Sequence, residues 1–292
     1  MRIGLAALVI GCSGGAPDDH SGTPDSTTTT TDSRPTTTTT TTTDSETGSS
    51  DTGTPSTGPI DGLLFEEDFE TTDRDTIPAG YRNFVGWQVD NSNNDLSKDV
   101  FAVVDTDRVH RGSRALHVRG GGQPAQITKE LPGGLDRLYV RFWMWTTEKL
   151  GAAPGRNHEH VIALRASSGN ASNEVRFGEI KGVIGTNEVP SDDISPKADQ
   201  WGTGPEISAG QWHCMEVSFD ARNDPHVLRA SRDGEEVHAI TDTSQWNNRT
   251  APSTFLQGKF GELVVGWHSF SNLVNEVWFD DLVVATEPVT CP

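Results

Sequence analysis

Tyr139-Val140-Arg141-Phe142-Trp143-Met144-Trp145 is the stretch on which the reading of this chain turns. Val140, Phe142 and Met144 fall on one side of an extended backbone, and Arg141, Trp143 and Trp145 on the other. A period of two marks a β-strand with one face in a core.

The neighbouring segments repeat the pattern. Trp212–Phe219 places Met215, Val217 and Phe219 on a single face. Val227–Val237 reads as a hairpin around Asp233-Gly234, a pair suited to positive φ. Leu263–Phe270 and Val277–Ala285 read as two further strands. No amphipathic helix of useful length is found, and no internal repeat. Residues 61–292 are therefore expected to form one all-β domain, a sandwich or jelly roll. The Arg141, Trp143 and Trp145 face is unsuited to a core. It suits a polysaccharide, because aromatic rings stack on the apolar C–H faces of sugars.

The N-terminus differs in kind. MRIGLAALVIGCSGG has Arg2 ahead of a short apolar stretch, Ile3–Gly11, too short to span a bilayer and fit for a signal peptide. Val9-Ile10-Gly11-Cys12 looks like a bacterial lipobox, so residues 1–12 are read as a lipoprotein signal with Cys12 as the lipidation site. Residues 13–60 are rich in Thr, Ser, Asp, Gly and Pro, with unbroken threonine from Thr36 to Thr43. Such a segment cannot build a core and is expected to be a disordered tether. The expectation is an exported lipoprotein at the outer membrane or cell surface, touching membrane through its lipid alone. A formal net charge of −19 argues against nucleic acid, whose binding needs a positive surface. Besides Cys12 only Cys214 and Cys291 remain, and in an exported chain they are expected to form a disulfide.

Asn157–Arg165, NHEHVIALR, carries two histidines around a glutamate. It is not the zincin pattern, whose histidines lie four apart on a helix. It resembles the cupin HxH but lacks the glutamate that should follow, and two histidines leave zinc one protein ligand short. No GxSxG elbow is present, and the acids do not follow the ExDxxE glucanase spacing. His158 and His160 share a face that we expect to line a groove. In a regular strand Ile162 and Leu164 would continue that face, so either a bulge near His160 or a groove confined to the histidines is required.

Taken in order, EEDFE (Glu66–Glu70), VHRGSRALHV (Val109–Val118), LYVRFWMW (Leu138–Trp145), EVRFG (Glu174–Gly178), SDDISP (Ser191–Pro196), WHCMEV (Trp212–Val217) and VGWHSFSNLVNEVWFDDLVVATEPVTC (Val265–Cys291) resemble the core domain of the fungal cellulose-induced protein family. That family is a concanavalin-A-like jelly roll related to uronan polysaccharide lyases. The resemblance implies the Cys214–Cys291 pair. It implies structural calcium held by Glu70, Asp280 and carbonyls of the Arg111–Arg114 turn, oxygen donors that suit a hard cation. It further implies a groove with an arginine matching Arg176, an acid matching Asp193 or alternatively Asp192, and a histidine matching His158 or His160. Two departures stand out. Phe270 replaces a family tyrosine, with His268 before it on the same face, and Ile180 lies near an expected glutamine. The chain has only two tyrosines, Tyr81 and Tyr139.

These readings point to a monomer that engages a polysaccharide, most specifically a glucuronan-like polymer cleaved by β-elimination. Such chemistry needs a cation or donor to stabilise enolate-like charge and a base to take the C5 proton. Arg176 would hold the carboxylate as a fork, and His158, His160 or His268 would move the proton. Arg141 and Arg165 would add positive charge. The rival is a non-catalytic carbohydrate-binding module using Trp143, Trp145, Trp212 and Trp267 as platforms, and a third class is an envelope interaction protein with no glycan ligand.

Overall fold

The computed structural model describes residues 60–89, 94–166, 173–248 and 260–292. Cys12 and most of the expected tether lie outside the described residues. The described chain is all-β, with sixteen strands: β1 (Leu63–Glu67), β2 (Tyr81–Val85), β3 (Gln88–Val89), β4 (Phe101–Asp105), β5 (Ala115–Gly120), β6 (Ala125–Leu135), β7 (Arg137–Thr146), β8 (His158–Arg165), β9 (Glu174–Ile180), β10 (Val183–Val189), β11 (Ile194–Ser195), β12 (His213–Asp220), β13 (Val227–Arg232), β14 (Glu235–Ile240), β15 (Phe260–Ser269) and β16 (Asn275–Ala285).

They form two antiparallel sheets. The first runs β14-β13-β12-β7-β16-β5-β4, with β1 also on β16; the second runs β11-β10-β9-β8-β15-β6-β2-β3. Val140, Phe142 and Met144 of β7 and Met215, Val217 and Phe219 of β12 point inward from the first sheet. They share one core with Ile162 and Leu164 of β8, Phe177 of β9 and Leu263 and Val265 of β15 from the second. The hairpin β13–β14 turns at Asp233-Gly234, both at positive φ (51° and 81°). Cys214 and Cys291 are joined, which fastens the C-terminus to β12. The jelly-roll expectation therefore holds.

The bulge anticipated near His160 exists. In the β8–β9 ladder His160 pairs with Gly178 and Ile162 with Phe177, so Val161 is an extra residue with no partner on β9. One inserted residue exchanges the two faces of a strand. Ile162 and Leu164 enter the core on one side of Val161, and His158 and His160 leave it on the other. The bulge presses β8 onto its neighbour: a Cβ at Gly178 would lie 1.9 Å from the Glu159 carbonyl oxygen. β15 answers with its own irregularity between Val265 and His268, where Gly266 sits at φ 144° against the backbone of Ala125.

The residues expected to hold calcium come together around the turn 110–114. Both Glu70 and Asp280 grip the turn 110–114 through its amides. Glu70 Oε1 accepts from Ser113 N (2.8 Å) and Arg114 N (2.9 Å), and Oε2 accepts from the Ser113 hydroxyl. These bonds hold the Glu70 carboxyl below the usual carboxylate range. Asp280 Oδ2 accepts from His110 N (2.8 Å) and Arg111 N (3.1 Å), and Oδ1 from Asp281 N. The Arg114 guanidinium donates to the carbonyls of Glu70 (3.0 Å) and Thr72. A calcium shell needs oxygens converging on one point. Here the carboxylates accept from N–H donors of the turn, and the Arg114 guanidinium serves the carbonyls of Glu70 and Thr72. As placed, Glu70, Asp280 and Arg114 form a clip of hydrogen bonds within the protein.

Two measurements check these points. Gly178→Ala should destabilise the domain by about 3 kcal/mol, since neither backbone can give way, whereas Gly133→Ala, with open space around it, should leave the melting temperature unchanged. Equal melting curves for the two variants would contradict the bulge. Arg114→Ala should lower the melting temperature of the domain, since it removes the guanidinium that ties Glu70 and Thr72 to the turn; a fall on adding EDTA to the wild type would show that calcium adds to the clip.

Candidate functional site

The outward face of the second sheet is where β8 delivers its histidines. Beyond the bulge His158 and His160 share that face with Arg176 of β9, His268 of β15 and Phe270 just after it. His158 and Arg176 line a cavity of about 500 Å³ together with Lys181, Asp192, Trp201 and Phe270. The three imidazoles surround Phe270: ring centroids lie 6.2 Å away for His158, 5.6 Å for His160 and 4.3 Å for His268. The Arg176 guanidinium lies 5.8 Å from the same ring.

Burial sets the charge of these histidines. It pushes His158 down to about 4, with Lys181 and Arg176 lowering it further against the opposing pull of Asp192. His268 is likewise pushed down to about 4, first by burial and then by Arg176. His160, 2% exposed, is pushed well below the ordinary range by burial and then by Arg176. All three are neutral at pH 7, which keeps one ring nitrogen of each an acceptor. Nε2 of His158 and of His160 is buried without a protein hydrogen-bond partner. Of the three, His158 is the one that lines the cavity. That answers which histidine meets Arg176 at the cavity wall.

A ladder of charge crosses the same face. Arg82 pairs with Glu262, Glu262 with Arg165 (2.9 Å), Arg165 with Glu174 (2.5 Å), and Glu174 with Arg176. Arg176 Nη1 then donates to Asn187 Oδ1 (3.2 Å), and Asn187 Nδ2 to Asp192 Oδ1 (2.7 Å). Alternation offsets the desolvation of each buried charge. It also fixes Arg176 through Nε and Nη1. Neither Arg82, Glu174 nor Glu262 was picked out from sequence; the i, i+2 relation of Glu174 to Arg176 was the available signal.

Several expected site residues lie elsewhere. Asp193 is fully buried and its Oδ1 accepts from Ile194 N (2.8 Å) and Asn248 N (3.0 Å), so it builds the loop; Asp192, at φ 54°, is the acid that lines the cavity. Arg165 is buried in the ladder, committed to two carboxylates, and is not a free cation. Trp267 is 0% exposed and donates its indole N–H to the Leu273 carbonyl (3.2 Å), which removes it as a stacking platform. Arg141, Trp143 and Trp145 belong to the first sheet, on its own outward face, and do not join the histidines. His110 stacks on Trp143 at 3.7 Å and lies edge-on to Trp212 at 5.7 Å, while the Arg108 guanidinium covers Trp145 at 3.6 Å. The 106–114 segment partly covers these rings. Ile180 is buried beside His158 and offers no polar group. Tyr81 lies in the core, with burial pushing its phenol far up, and Tyr139 sits on β7 of the first sheet, so neither tyrosine reaches the cavity. Among the described residues no group of three or more His, Cys, Asp or Glu is arranged to hold a metal ion.

Comparison with known proteins agrees with this architecture. No curated protein sequence matches the chain. Among solved structures, cellulose induced protein Cip1 is 21% identical, with a TM-score of 0.57 over 78% of this chain and 100% of that one. The endo-β-1,4-glucuronan lyase of Trichoderma reesei is 14% identical, with a TM-score of 0.45 over 77% and 96%. A family model described as polysaccharide lyase-like, Cip1-like core domain, matches residues 81–287, which is most of the chain. The chain belongs to that Cip1-like, polysaccharide lyase-like family.

Proposed function

We propose that this protein acts on a uronic-acid-bearing polysaccharide bound across the outward face of the second sheet, and that it cleaves the polymer by β-elimination with His158 as base. One observation carries the reading: a neutral imidazole and a fixed guanidinium line one cavity. The family supports a polysaccharide as the ligand. Localisation at the cell surface through lipidated Cys12 belongs to the same proposal.

The chemistry follows from the side chains. Glu174 and Asn187 hold Arg176 through Nε and Nη1, so that its guanidinium is fixed to meet the sugar carboxylate. With Lys181 on the same wall, the cations stabilise negative charge as the C5–H bond weakens. His158 takes the C5 proton, the electron pair forms the C4–C5 double bond, and the C4–O bond breaks. The departing oxygen receives a proton from the imidazolium. Phe270 supplies a ring where a tyrosine would supply a proton, so proton transfer falls to histidine. That replacement favours a second reading, binding without cleavage: Phe270 is 45% exposed in the cavity and apolar.

Ultraviolet absorbance of the unsaturated product separates the readings. Wild type should produce it from glucuronan, alginate or pectate. His158→Ala should lower the rate about 10²- to 10⁴-fold, the scale of general-base catalysis, and Arg176→Ala should abolish detectable turnover. An unperturbed histidine loses its base form below about 6.5. His158 should retain it, and the activity with it, down to about 4. Retained glycan binding without absorbance would select the second reading, and absence of binding to any glycan would overturn both.

A further inference from the structure

Trp87 stands out on the face just described. It is 55% exposed, and with Phe270 it is one of two exposed large aromatics among the described residues. It occupies the β2–β3 turn with Gly86, both at positive φ (66° and 60°). Such turns normally carry Asn, Asp or Gly, and a bulky side chain there is a genuine outlier. Core burial does not account for the strain, because the indole stays largely in solvent. The turn is held instead by Gly86 N donating to the Pro124 carbonyl (2.9 Å). The indole lies edge-on to His268 at 5.0 Å and to Phe84 at 6.2 Å. His268 in turn contacts Phe270 at 4.3 Å. A row of rings therefore runs from the exposed turn across β15 to the cavity wall.

From this row we infer that Trp87 is a stacking subsite for a sugar ring next to the one held in the cavity, so that the glycan lies across the strands and not along them. The inference rests on the polysaccharide reading above. A strained residue at an exposed turn is expected where function selects the side chain. A pyranose offers the indole an apolar C–H face, and a sugar bound in the cavity brings its linked neighbour toward the next ring of the row. The outer-face tryptophans Trp143 and Trp145 play no part in it.

Calorimetry with glucuronan oligosaccharides of increasing length tests the assignment on wild type, Trp87→Ala and Trp87→Phe. Trp87→Ala should weaken the longer oligosaccharides about tenfold, the scale of one aromatic contact, and leave the shortest ligand that binds unaffected. Trp87→Phe should recover most of the loss, and the fluorescence change of the wild type on binding should shrink in Trp87→Ala. Equal affinities at every length, with wild-type binding intact, would overturn the subsite alone. Failure of the wild type to bind any of these oligosaccharides would overturn the polysaccharide reading as well.

Discussion

A single unpaired residue, Val161, decides what each side of β8 can be. Without it, a strand that buries Ile162 and Leu164 would bury His158 and His160 too. With it, Ile162 and Leu164 keep their core roles and Arg165 its place in the ladder while the histidines turn outward. The insertion is possible because Gly178 lacks a Cβ where Glu159 comes close. β15 accommodates the same displacement at Gly266. The site thus depends on backbone contact between neighbouring strands before any side-chain chemistry begins.

Electrostatics follow from that placement. The histidines leave the core but remain buried on the outward face, so they stay neutral. A neutral cluster tolerates a guanidinium beside it; an ionised one would repel it. The ladder from Arg82 to Arg176 meets the complementary need, since each buried charge has an opposite neighbour. An acidic chain can therefore offer a cationic edge to a polyanion at one place, set by local pairing and not by net charge.

Much of the fold was legible in the sequence. The period of two in Tyr139–Trp145 and Trp212–Phe219 assigned the core faces, and Asp233-Gly234 marked its hairpin. The tension among His158, His160, Ile162 and Leu164 was visible too, and of the two ways out of it, a bulge or a groove confined to the histidines, the bulge is present. The site was less legible, for physical reasons. Alternation shows that Trp143 and Trp145 leave the core but not which sheet they leave, and a covering segment such as 106–114 is invisible in a strand pattern. Trp267 and His268 are adjacent, so alternation allowed only one of them outward. Glu262 and Arg165 meet only once β15 and β8 are in register. Trp87 carried no strand signal, since its position depends on a two-residue turn. At Glu70 and Asp280 the sequence did not show that both carboxylates take backbone N–H groups of the 110–114 turn, because that contact is made across the fold.

The central claim is that the ligand face is the histidine face of the second sheet. A structure of the protein with a bound uronic oligosaccharide tests it most directly. We expect density over Phe270, with a carboxylate at Arg176, a C5 atom beside the His158 imidazole, and the chain directed toward Trp87. Density over Arg141, Trp143 and Trp145, on the opposite side of the sandwich, would contradict it.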